Sequence, residues 1–93
     1  MADELIEKSC VVRNKMGLHA RPAALIVQTA NKFICEVKLT KDGQEVNGKS
    51  IMGVLMLAAA KGTTVDVKTE GEEARACADA IAELFERGFN EGV

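Results

Sequence analysis

Phe33-Ile34-Cys35-Glu36-Val37-Lys38-Leu39, continued by Thr40, Lys41-Asp42-Gly43 and Gln44-Glu45-Val46-Asn47, decides the architecture of this chain. Phe33, Cys35, Val37 and Leu39 fall on one phase of a period of two, and Ile34, Glu36 and Lys38 on the other. That alternation predicts a strand over residues 33–39 with one face covered. Asp42-Gly43 is the dipeptide that a tight hairpin turn asks for. Residues 44–47 are then a short return strand.

Working outward from the hairpin, residues 6–12 read as a first strand, with Ile6, Cys10 and Val12 on one phase. Residues 13–18 form a loop punctuated by Asn14 and Gly17. A helix is expected over 20–31, because Ala23, Ile26, Val27 and Ala30 follow a core-facing helical spacing. Pro22 falls in its first turn, where a missing N–H costs little. Downstream, Ser50 opens a short helix whose buried side holds Val54, Leu57 and Ala58, and Gly62 ends that region. Residues 63–69 form another strand with Val65 and Val67 inward. A last helix over 72–87 carries the stripe Ala74, Cys77, Ala78, Ile81, Leu84 and Phe85. Glu72 and Glu73 stand at its positive end and Gly88 acts as its stop. The order is β-α-β-β-α-β-α, an α+β domain spanning residues 1–93. Its helices must bury their stripes, and one sheet face is the place to do so. The other face, with Ile34, Glu36, Lys38, Asp66 and Lys68, suits water.

Composition narrows the function. Apolar residues make up 47% of the 93-residue chain, enough for one modest core and against disorder. Net charge is −2, and the aromatics are Phe33, Phe85 and Phe89 alone. Neither a basic footprint nor a base-stacking platform is present, so no nucleic-acid partner is expected. Residues 1–5 lack the basic start and apolar core of a signal peptide. The apolar run at 54–60 falls far short of the roughly 20 residues a membrane span needs. A soluble, cytoplasmic protein is expected. Cys10, Cys35 and Cys77 are odd in number, far apart and on apolar phases, which reads as buried free thiols and no metal site.

The chemistry concentrates in Gly17-Leu18-His19-Ala20-Arg21-Pro22, which holds the only histidine. The first amides of a helix are unpartnered and the helix dipole adds positive potential, so an anion is favoured there. Arg21 can add a guanidinium fork, and Gly17 lets the backbone turn tightly just ahead of the imidazole. The helix start should also favour the neutral ring, which keeps a lone pair for attack. A histidine near a helix start can equally be an incidental cap. No triad, Walker-type loop or metal-ligand pair accompanies it, so a complete enzyme is not expected; a carrier served by partner enzymes is. Ser50 reads as an N-cap and, more sharply, as a site of regulatory phosphorylation. Ile51, Met52, Leu55 and Met56 form the outward side of the short helix. They are either core or a docking patch, to which Met side chains are suited.

"GLHARPA", followed about thirty residues on by "NGKSIMGV", resembles the HPr family, the histidine-containing phosphocarriers of the bacterial phosphoenolpyruvate-dependent phosphotransferase system. The resemblance covers about residues 6–85. It implies an open-faced β-sandwich, a four-stranded antiparallel sheet with three helices on one face. It implies that His19 is phosphorylated through Nδ1, by enzyme I, and passes the group to an enzyme IIA domain, with Arg21 stabilising the phosphate. Ser50 would match a serine modified by an HPr kinase/phosphorylase, and Ala20, Ile51, Met52, Leu55 and Met56 the partner-docking patch. A monomer with no cofactor beyond the phosphoryl group is implied. Gln28, Asn31 and Gly53 replace charges that some members carry. "VNGKSIMGVLMLAAAKGT" is similar to the nitrogen-related branch, whereas Pro22 after Arg21 resembles the sugar branch. Two other readings compete: an amino-acid-sensing module that dimerises, and a regulator controlled mainly through Ser50.

Overall fold

The structure, a computed structural model, describes residues 3–91. Its elements are β1 (Glu4–Val11), α1 (Ala20–Ala30), β2 (Glu36–Lys41), β3 (Gln44–Asn47), α2 (Ile51–Met56), β4 (Thr64–Gly71) and α3 (Ala74–Glu86), followed by a 3₁₀ turn at Gly88–Asn90. The strands form one antiparallel sheet in the order β1-β4-β2-β3. This is the expected open-faced arrangement: α3 packs on β1 and β4, α1 lies against α3 and α2, and α2 meets β3.

The register explains the core. Val67 lies opposite Lys8 on one side and Leu39 on the other, and Thr69 opposite Ile6 and Val37. Val37, Leu39, Val65 and Val67 are fully covered, and so are Ile26 of α1, Val54 of α2 and Ile81 of α3. Lys8 shares this inner phase but ends in an ion pair with Asp79 at 2.9 Å, its stem crossing apolar surface to water. On the open face, Ser9 donates to Asp66 at 2.8 Å. The α3 stripe expected from its spacing is buried at all six positions. The hairpin turn has positive φ at both Asp42 and Gly43, as its dipeptide requires.

The expectations fail where tertiary contacts capture the backbone. The second strand begins at Glu36, not Phe33. The Ile34 N–H donates to the Glu73 carboxylate at 2.7 Å, and the Ile34 carbonyl accepts from the Glu73 amide. The Phe33 carbonyl accepts from Lys49 Nζ at 2.9 Å. The segment is therefore spliced to the start of α3 instead of the sheet, and Ile34 stands in solvent off the open face. Glu73 spends its carboxylate on that splice and makes no side-chain cap for α3. Ala58 is not on the buried side of α2: the helix ends at Met56, Ala58 takes a positive φ and is exposed, and Ala59 is buried in its place. Of the three thiols, Cys10 and Cys77 are buried but Cys35 is only half-buried. Burial pushes the Cys10 thiol up to about 11. Burial, then contact with Cys35, pushes Cys77 up to about 12.

Candidate functional site

The loop from β1 to α1 is stapled to the segment that leads into β4. Val12 N–H donates to the Thr63 carbonyl at 2.9 Å, Gly62 N–H to Val12 at 2.8 Å, and Leu18 N–H to Ala59 at 2.9 Å. Gly17 has φ +72°, and a Cβ there would lie 2.5 Å from the Ala59 carbonyl oxygen, so this close approach admits only glycine. The staple delivers His19 to the N-cap of α1 in an extended conformation.

Two groups from the neighbouring turn remain open. The His19 carbonyl accepts from Ala23 N–H at 3.0 Å, and Pro22 has no N–H. Ala20 and Arg21 keep their amides without an acceptor among the described residues. The start of α1 thus presents two open amides. Arg21 is exposed and has no ion pair within 4 Å among the described residues. The His19 side chain is 40% exposed and makes no capping bond.

The other side of the ring carries a residue that no local pattern reveals. His19 Nε2 lies 3.0 and 3.2 Å from the two carboxylate oxygens of Glu91. Glu91 arrives through a chain reversal after α3, in which Gly88, Phe89 and Asn90 all have positive φ. Phe89, 1% exposed, anchors the reversal by packing edge-on against Phe85 at 5.0 Å between ring centres. Asn14 is fully buried; its Nδ2 donates to the Gly17 carbonyl at 2.6 Å and to Glu91 at 3.0 Å, while its Oδ1 has no partner among the described residues. Burial pushes the Glu91 carboxyl up. Hydrogen bonds from His19 and Asn14, with the charges of His19 and Arg21, outweigh burial and hold it below the ordinary carboxylate range. The positive helix start is therefore only half of the electrostatic setting expected for His19. A carboxylate faces it.

Ser50 stands where expected, as N-cap of α2, its Oγ accepting from Gly53 N–H at 3.1 Å. Ile51, Met52 and Met56 are exposed, and Ala20 too. Leu55 is not fully outward: it is half-buried and packs against the core. Met16, in the loop carrying His19, is 72% exposed and is an apolar surface residue that the periodicities did not reveal, since it belongs to no repeat. A cleft of about 660 Å³ between β1 and α3, lined by Lys8, Cys10, Arg13, Phe85 and Glu86, does not include His19.

Comparisons with known proteins agree on one family. The model described as "PTS HPr component phosphorylation site" matches residues 6–87. The phosphocarrier protein HPr of Xylella fastidiosa is 48% identical, covering 94% of this chain and 98% of that protein. The HPr-like protein Crh of Halalkalibacterium halodurans is 45% identical, covering 89% of this chain and 99% of its own. The crystal structure of HPr-C-His from Thermoanaerobacter tengcongensis superposes with a TM-score of 0.91 at 42% identity, covering 95% of this chain and 99% of that one. With the same fold, near-complete coverage and a family match that spans the His19 turn, this chain belongs to the HPr family of phosphotransferase-system phosphocarriers.

Proposed function

We propose that His19 carries the phosphoryl group, taking it on Nδ1 from phospho-enzyme I and giving it to an enzyme IIA domain. The observation that carries this reading is the two-sided His19 ring. It is partly exposed, its Nε2 is engaged, its Nδ1 has no partner among the described residues, and two free amides stand beside it. Arg21, exposed beside the ring, supplies a charge that stabilises the phosphate. Helix-end stabilisation of about 0.3–1 kcal/mol, up to about 2 when partly buried, suits a group that must leave again. Binding the loaded state as strongly as the transition state would slow onward transfer. The partners supply the rest of the catalytic groups, so the chain acts as a cytoplasmic, monomeric carrier and needs no cofactor.

Ile51, Met52 and Met56, with Ala20 and the edge of Leu55, are read as the docking patch. A phosphate on Ser50, placed by an HPr kinase/phosphorylase, would set about −1.5 to −2 charges beside that apolar surface and weaken docking. Whether sugar transport or nitrogen regulation receives the group is decided by the acceptor. Incubation with enzyme I and phosphoenolpyruvate is expected to give one acid-labile, base-stable phosphate per chain. The His19→Ala variant should take none. Labelling of His19→Ala to the wild-type level would remove this function.

A further inference from the structure

Resting on the reading of His19 as the phosphoryl acceptor, we propose that Glu91, held by Asn14, is a positioning residue that sets which ring nitrogen attacks and stabilises the ring as it reacts. A carboxylate can only accept, so the short Glu91 contacts place a proton on His19 Nε2. A neutral imidazole with its proton on Nε2 has its lone pair on Nδ1. The Asn14 amide orientation is fixed by the same logic: Nδ2 meets two acceptors, the Gly17 carbonyl and the Glu91 carboxylate, so it must be the donor.

The reaction then acquires a charge balance. The Nδ1 lone pair forms the new N–P bond as the bond between phosphorus and the donor group of phospho-enzyme I breaks, and the donor group keeps that electron pair. His19 becomes a cationic phosphoimidazolium, with its proton still on Nε2. Glu91 faces that positive charge at 3.0 Å. Arg21 and the free amides of Ala20 and Arg21 are left to the phosphoryl oxygens. A carboxylate behind a reacting histidine plays this double part in hydrolase triads, fixing the tautomer and stabilising the imidazolium. Here it is delivered across 72 residues of sequence by the reversal anchored on Phe89.

The test uses the full chain labelled with ¹⁵N-histidine, with phospho-enzyme I as donor. In the wild type, the Nε2 proton should give a resolved, slowly exchanging resonance, and Nδ1 the shift of an unprotonated nitrogen. Glu91→Ala should lose the protected proton and slow phosphoryl transfer by about tenfold, the weight of one hydrogen bond to a charged group. Glu91→Gln should keep a protected proton, since an amide oxygen accepts, and recover part of the rate. Asn14→Ala should slow transfer in the same direction. If Glu91→Ala transfers at the wild-type rate, or if the ring proton sits on Nδ1, the assignment is overturned while His19 remains the acceptor. If His19→Ala is labelled, it is the function itself that fails.

Discussion

A single methyl group at Gly17 would test how the site is built. The residue is in the left-handed region at φ +72°, which costs a side-chain-bearing residue about 1–2 kcal/mol. The added Cβ would also lie 2.5 Å from the backbone oxygen of Ala59, which cannot swing aside as a side-chain tip would. Gly43 offers a matched control, since it too has positive φ but nothing within 4 Å of its Cβ position. Gly17→Ala is expected to destabilise by at least about 2 kcal/mol, lowering the midpoint of thermal unfolding by roughly 8 °C or more for a domain of this size. Gly43→Ala should cost about half as much. Equal midpoints for the two variants would show that the approach of the His19 loop to residue 59 is slack. The glycine was readable in the sequence as a turn beside a histidine. Its partner was not, because Ala59 is an unremarked residue in a linker with no period.

At the scale of elements, α2 is the most exposed to perturbation. It has six residues and only Val54 is fully buried among them, so propensity contributes little and the cap contributes much. Ser50 Oγ satisfies one of its open amides. Ser50→Ala should therefore lower stability by about 1 kcal/mol in urea unfolding, with the slope unchanged. A loss below about 0.3 kcal/mol would mean that β3 and α1 hold α2 without its cap. Such a result would also weaken the case that a phosphate there reshapes the docking surface. Capping residues, the hairpin dipeptide and the α3 stripe were legible because each depends on neighbours within a turn or two. The start of β2 was not. Phe33 and Cys35 keep the apolar phase of a strand and do pack toward the core, yet the backbone beside them is drawn elsewhere, Ile34 to Glu73 and Phe33 to Lys49, 39 and 16 positions away. Alternation reports which side chains turn inward; it does not report which backbone groups find a partner. Asn14 illustrates the same limit at the site, for in the sequence it is a loop residue and in the fold it is a fully buried donor.

Over the whole molecule, Glu91 ties the turn after α3 to the loop between β1 and α1, bonding Asn14 and His19 across 77 and 72 residues. That link should be visible in the dependence of stability on pH. The charged groups facing the Glu91 carboxylate are His19 and Arg21, and both favour its ionised form, as does the Asn14 amide. Its value in the folded state is thus below that in the unfolded chain, where a glutamate titrates near ~4.3. Between those two values the unfolded state binds the extra proton, and stability falls as the solution is acidified. The contribution is fully present above the unfolded value and disappears as pH drops through the folded one. Other carboxylates titrate over the same range, so the comparison must be with Glu91→Gln, in which they are unchanged. The wild type should be more stable than Glu91→Gln at pH 5. That margin should shrink steadily from about pH 4.5 downward. Urea unfolding at half-unit steps from pH 7 to 3 measures it directly. A margin that held constant to pH 3 would mean that the carboxylate charge adds nothing to the closure of the C-terminal turn over His19, leaving the Phe89 anchor to hold that turn by packing alone.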